Sequence, residues 1–323
     1  MSILVLNKGW LATLQDLGRP GYAQYGINRS GAMDPLALQV GNYLVGNAGS
    51  VAALEICFPA ASFLFLEPTL MVLAGADFGA SVAGKKINPY RPIWVAAGTE
   101  LHFQHKYWGQ YAYLCVQGGF DLKPWLNSQS TNLKAAQGGW QGQSLQKGAV
   151  LPFKKSDLAF GEETQIASYY ADLAPFYHSN VIRFIPGQHF ESLTKQSQVQ
   201  LQTQNWRITP ASDRMGYRLE GERLQLIHAE SLLSAGLSRG SIQLPPNGQP
   251  IVLMADHQTT GGYPILGQVI QGDWPKLAQM GPGQSFHFQA TTLTQATHAL
   301  QGQLKSLNRI RCGACWALGT MKK

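Results

Sequence analysis

The sequence predicts a mainly β protein made of two homologous domains, each an antiparallel barrel or sandwich, with a few short helices. Its 323 residues exceed what one ordinary core organises, so two domains are expected. Its apolar runs are short and end at Gly, Pro, Asn or Asp, which marks strands. The chain also resembles itself. "ILVLNKGWLATLQ" at 3 matches "VIRFIPGQHFESL" at 181, "SGAMD" at 30 matches "SDRMG" at 212, "MVLAGADF" at 71 matches "IVLMADHQ" at 251, and "GTELHFQ" at 98 matches "GQSFHFQ" at 283. The order is kept and the offsets span only 178–185 residues, which predicts domains over 1–175 and 180–310, divided near "ADLAPFYHSN", with a tail over 311–323.

The elements follow in chain order. "DPLALQVGNYLVGN" predicts a helix, with Asp34 as its N-cap and Pro35 at its first position. Leu36, Val40, Tyr43 and Leu44 share one face, and Gly46 or Asn47 ends the helix. "SFLFLE" and "LMVLAG" read as strands. "GASVAGKK" (79–86) approaches a phosphate-binding loop, but Lys86 replaces the metal-binding hydroxyl and Pro89 forbids the helix that should follow. It reads instead as a hairpin with a lysine tip. "TELHFQ" alternates apolar and polar, the pattern of a half-buried strand. "YAYLCVQ", "VIRFI", "RLQLIH", "SIQL", "PIVLM" and "SFHFQ" complete the strands. Their connections are too short for helical crossovers. Leu293, Ala296, Leu300, Leu304 and Leu307 form an amphipathic stripe that predicts a second helix over 292–309, packed on a core or a partner.

Composition narrows the function. Hydrophobic residues make up 45% of the chain, enough for globular cores, and only 13% are charged. The net charge is +7, but basic residues are scattered, at most paired as in Lys85-Lys86 and Lys154-Lys155. This is not the basic stripe of a nucleic-acid binder. "MSILVLNKGW" lacks a signal-peptide pattern and no apolar run is long enough to span a membrane. A reducing cytoplasm is expected, with Cys57 and Cys115 as buried small hydrophobes. "RCGACW" brings Cys312 and Cys315 together, but zinc needs a second pair, so a frayed tail or an opportunistic metal pair is expected and no built metal site. The Met-Lys pair in "TMKK" (320–323) lacks the hairpins of a biotin carrier, and no covalent biotin is expected.

Three loops concentrate polar chemistry. "DLGRPGYAQYGINRSGAMDP" (16–35) carries Arg19, Arg29 and Ser30 into a helix N-terminus, where backbone N–H groups favour anions. Its structural alternative is a connector whose Asp34 only caps the helix. "TPASDRMGYRLEG" (209–221) holds Ser212, Asp213, Arg214 and Arg218. Arg214 can clamp an anion with two parallel bonds, or pair with Asp213 to close a turn. "PIVLMADHQTTGGYP" (250–264) places Asp256, His257, Thr259, Thr260, Gly261, Gly262 and Tyr263 after a buried strand. A Gly-Gly turn would explain the glycines but not the imidazole and hydroxyls. His257 can move protons near neutral pH, and the hydroxyls and glycine amides can hold an oxyanion.

These loops, with "LAQMGPGQ" (277–284), occur in an order that resembles the biotin-dependent carboxyltransferase family containing allophanate hydrolase subunit 2 domains. The resemblance implies a cyclophilin-like β-barrel in each half. It also implies one subunit of an ATP-dependent 5-oxoprolinase, opening 5-oxoproline to glutamate with companion subunits A and B, with Mg2+ accompanying ATP. Other members imply two alternatives, carboxyl transfer in a urea carboxylase and regulation of a sporulation kinase inhibitor without catalysis. Under the first implication Arg19, Arg29 and Arg214, with Ser30 and Ser212, would bind anions. Thr259, Thr260, Gly261, Gly262 and Tyr263 would face the substrate, and His257 with Asp256 would handle the proton.

Overall fold

The computed structural model describes residues 1–154, 163–228 and 232–321. Lys155 of the Lys154-Lys155 pair and Lys322 and Lys323 of "TMKK" lie outside the described residues. The chain is mainly β with few helices, as expected, and forms two compact units. The first takes Met1–Arg19, Ser30–Leu173 and the residues from Lys305 on; the second takes Pro20–Arg29 and Ala174–Leu304. Order along the chain assigns 20–29 to the first half and 305–310 to the second, but the fold groups both segments the other way.

In the first unit, one sheet has the strand order Val150–Pro152, Ser2–Asn7, Ser62–Phe65, Thr99–Phe103, Ala80–Val82, Lys85–Lys86. The other runs Gln165–Ile166, Ile93–Val95, Thr69–Asp77, Trp108–Val116, Ala53–Cys57, Leu11–Gln15. Ile3, Val5, Phe63, Phe65 and Leu101 of the first sheet share one core with Leu14, Leu54, Ile56, Met71, Leu73 and Leu114 of the second. Helix α1, Pro35–Leu44, packs on the strands Thr69–Asp77 and Trp108–Val116. A Cβ on Gly41 would lie 2.7 Å from Cys115 Sγ, so glycine permits this approach. The second sheet is therefore covered on both faces, which explains the unbroken apolar run "LMVLAGA".

Asp34 caps α1, its carboxylate accepting from Ala37 N–H at 3.0 Å. A buried network holds that end in place: Tyr113 Oη donates to Glu55 at 2.7 Å and accepts from Asp34 N–H at 2.7 Å, and Glu55 also accepts from Met33 N–H at 2.7 Å. Burial, then the Glu55 carboxylate, raise the Tyr113 phenol pKa well above its ordinary value. Residues 79–86 form the expected hairpin, but its tip is Ala83 (φ +48°) and Gly84 (φ +74°), not lysine: Val82 pairs with Lys85 across them, and both lysines lie on the strand. Both central residues have positive φ, as in a type I′ turn.

The second unit closes a seven-stranded barrel in the order Val181–Pro186, Ile265–Val269, Ser241–Gln243, Ile251–Leu253, Gly216–Glu220, Trp206–Ile208, Ser285–Ala290. The closing pair, Val181–Pro186 with Ser285–Ala290, is parallel. Phe184, Phe286, Phe288 and Trp206 fill the interior, with Phe286 and Phe288 edge-to-face at 5.0 Å. The fully buried Asp273 fixes the first strand, accepting from Arg183 N–H at 2.8 Å and from its guanidinium at 2.6 and 3.0 Å. "RLQLIH" (223–228) is not a strand; it makes one isolated bridge, Leu226 to Leu193, because Leu224 N–H turns instead to Gly248.

Helices α2, Lys195–Thr203, and α3, Trp274–Gln279, have no clear sequence signal. Thr194 caps α2 by accepting from Ser197 N–H at 3.2 Å. The last helix, α4, spans Leu293–Met321 and runs through the segment expected to be a tail. The predicted stripe is not buried as a whole: Leu293 and Leu304 are exposed, whereas Leu307, Ala314, Ala317 and Leu318 are buried. Cys312 and Cys315 lie exposed on this helix, and Cys57 and Cys115 are buried, none of them in a disulfide. No helix among the described residues is long and apolar enough to cross a membrane.

Candidate functional site

Most of the polar loop chemistry collects in the second unit at one end of the pairing between Gly216–Glu220 and Ile251–Leu253. Past Gly216 and Leu253 the ladder continues, with Met254 N–H donating to Met215 at 3.0 Å and Asp256 N–H to Arg214 at 2.8 Å. These bonds bring Arg214 and Asp256 side by side beyond the strand ends. The Arg214 guanidinium donates from Nε at 2.7 Å and from an Nη at 3.0 Å to the two Asp256 oxygens. This bidentate pair is largely desolvated, its side chains 7% and 15% exposed. Asn28, carried in by Pro20–Arg29, donates its amide to the Asp256 carbonyl at 2.9 Å.

Arg214 does not pair with Asp213. Asp213 caps its own turn, accepting from Met215 and Gly216 N–H at 2.8 and 3.2 Å. The Ser212 hydroxyl closes the same turn, accepting from Arg218 N–H at 2.9 Å and donating to its carbonyl at 3.3 Å.

His257 follows the ion pair and is buried. Its Nδ1 lies 2.7 Å from the Gln258 carbonyl. Only Nδ1–H can make that contact a hydrogen bond, so the neutral ring keeps its lone pair on Nε2. Burial lowers the imidazole pKa, helped by the charge of Arg239 and opposed by the Gln258 carbonyl and Asp256. Arg239, which the sequence pattern does not single out, stacks over Trp274 at 4.6 Å.

The segment 259–263 is not a Gly-Gly turn. Thr260 and Gly261 form a short strand paired with Gly236 and Ala235, and the Thr259 carbonyl accepts from Leu237 N–H at 2.9 Å. Neither Gly261 nor Gly262 has positive φ. A Cβ on Gly261 would meet Leu237 Cδ1 at 2.8 Å and Gln243 Nε2 at 3.0 Å, so close approach is what requires glycine here. Thr260 and Tyr263 are exposed, and Thr259 is half-buried.

Arg29, Arg19 and Ser30 remain. Arg29 is exposed. Arg19 and Ser30 belong to the first unit and are buried. The Arg19 guanidinium stacks over Trp125 at 4.7 Å and donates to the Ser130 carbonyl. Ser30 Oγ donates to the Thr131 carbonyl at 3.2 Å. Both act as anchors of the loop around Asp16, whose carboxylate accepts from Gly18 N–H, Gln129 N–H, Ser128 Oγ and Ser130 Oγ at 2.5–2.8 Å. Among the described residues, no three His, Cys, Asp or Glu side chains gather as metal ligands.

Comparison with known proteins adds the context. Residues 25–290 match the family model of the carboxyltransferase domain, subdomain A and B. The chain is 39% identical over 300 residues to the C subunit of 5-oxoprolinase from Haemophilus influenzae, covering 93% of this chain and 94% of the relative. To that of Escherichia coli it is 36% identical, covering 95% and 96%. The Kluyveromyces lactis urea amidolyase structure superposes with a TM-score of 0.85 at 25% identity, covering 96% of this chain and 20% of that one.

Proposed function

The chain belongs to the family of the carboxyltransferase domain, subdomain A and B, and from that premise we propose that it is one subunit of an ATP-dependent 5-oxoprolinase. In this reading it opens the lactam of 5-oxoproline to glutamate together with companion subunits A and B, in the cytoplasm, and is inactive alone. One observation carries the reading: end-to-end similarity to two 5-oxoprolinase C subunits, at 36–39% identity over nearly the whole of both partners. Urea amidolyases and a urea carboxylase are more distant, 25–28% identical, and the chain matches only 16–24% of their length. Carboxyl transfer to urea is therefore not favoured.

The site chemistry is compatible with lactam hydrolysis. Neutral His257, with Nδ1–H held by Gln258, offers Nε2 to take a proton from an attacking water. The Arg214–Asp256 clamp fixes the loop bearing His257, so Asp256 acts by positioning. Thr260 and Tyr263 line the exposed edge where substrate would arrive. Residues 79–86 do not fit a nucleotide phosphate, because they form a tight hairpin whose Lys86 ammonium stands over the Tyr107 ring at 4.9 Å. ATP, with its Mg2+, is assigned to the assembled complex. The test is reconstitution: the three purified subunits should release glutamate from 5-oxoproline only with ATP, and omission of this chain should abolish release. A complete complex that hydrolyses no ATP in response to 5-oxoproline would overturn the assignment.

A further inference from the structure

Gln243 sits on the barrel strand Ser241–Gln243 and is 1% exposed. Its Nε2 has no hydrogen-bond partner among the described residues. Leaving a buried amide donor unmade typically costs a few kcal/mol, so such a group calls for an explanation. Its direction is informative. Nε2 lies 3.0 Å from where a Cβ of Gly261 would stand, and Gln258 Nε2 lies 3.8 Å from the same point. Strand register shifts between Ile242 and Gln243 against Ile265–Val269. Bulges of this kind re-aim side chains beside functional sites. The next residue ties the strand to the loop, Leu244 N–H donating to the Pro264 carbonyl at 3.0 Å.

We infer that Gln243 Nε2, beneath the half-buried Gly261, is a substrate-recognition donor that takes an uncharged carbonyl oxygen, the ring carbonyl of a lactam. The inference rests on the lactam-hydrolysing reading above. A neutral donor beside Leu237 suits a neutral acceptor, because a carboxylate buried there would need a counter-charge. Gly261 lets Leu237 and the amide pack this closely: a methyl at that position would stand 2.8 Å from Leu237 Cδ1 and 3.0 Å from Nε2. The bond that the chain itself leaves unmade is then completed by the ligand, an exchange of stability for function found at binding sites.

The test uses the complex reconstituted with its companion subunits and the variant Gln243→Met, which keeps the length and removes the donor. KM for 5-oxoproline should rise about 10-fold, and kcat should fall as well, because the ring carbonyl oxygen gains negative charge when the lactam is attacked and a donor to it is then strengthened. Calorimetric binding of 5-oxoproline without ATP should weaken by the same factor. L-proline, which lacks the ring carbonyl, should inhibit wild type and variant equally. The variant's Tm should hold or rise, since an unpaired buried donor has been removed. Gln243→Leu, which also lacks the donor, provides a second route to the same loss if Gln243→Met does not fold. An unmoved KM with a lowered Tm would make Gln243 structural and overturn the inference, and so would a parallel loss of L-proline inhibition, which would place the contact on the carboxylate. An inactive wild-type complex that still binds 5-oxoproline through Gln243 would overturn only the functional reading; failure of wild type to bind 5-oxoproline would overturn both.

Discussion

Arg214 and Asp256 stand 42 residues apart in sequence and meet as a bidentate pair. Removing one partner leaves the other charge largely desolvated and unpaired, a costly state. Asp256→Asn should therefore lower the unfolding free energy by about 3 kcal/mol in urea titrations, and adding Arg214→Met should cost far less than a second independent loss. An additive double variant would contradict the coupling. His257 predicts a pH effect with a definite sign. Its folded pKa is lowered by burial, so the unfolded chain binds the proton more readily. The stabilisation is complete above the unfolded value, about 6.5, and is lost as pH falls through that value toward the folded one. Wild type should lose Tm between pH 7.5 and 5.5, and His257→Gln should lose less, with a slope difference of at most about 1.4 kcal/mol per pH unit.

Local signals explain which segments were readable. The α1 start needs only Asp34, Pro35 and Ala37, so its cap and first turn were legible. Asp34→Ala should destabilise by about 1–2 kcal/mol in chemical denaturation, and an unchanged midpoint would remove the cap from the account. The 82–85 turn was legible from its own residues too, and Ala83 strains it with a left-handed backbone. Ala83→Asn supplies the Asn-Gly pair this turn favours and should raise stability by about 0.5–1 kcal/mol. Helix α4 shows the opposite case. Gly313 and Gly319 each disfavour helix by about 1 kcal/mol, so the local pattern stops at 309. Burial of Ala314, Ala317 and Leu318 overrides that preference. Helix α2 was missed because its Gln-rich run shows no apolar stripe, and its cap at Thr194 is common in loops as well.

Across the whole molecule the four cysteines report burial in one measurement. A thiol-reactive dye should label two sites quickly, Cys312 and Cys315, and two only on unfolding, Cys57 and Cys115. Four fast thiols would contradict the double-sided burial of the second sheet. Strand composition, turns, the α1 cap and the mainly β class are all readable from residues a few positions apart, because capping, turn conformation and alternation are short-range effects. The family too was legible, since its loops keep their order along the chain. The site's working contacts were not. "SIQL" carries no sign of what covers Gln243, which the fold buries beside Gly261. "SDR" suggests an Asp213–Arg214 pair, yet the continued ladder delivers Asp256 instead. Pro20–Arg29 joins the second unit despite its place in the first half. Such pairings depend on which strands lie side by side, and that is settled by burial of the barrel's aromatic interior, not by any window of neighbouring residues.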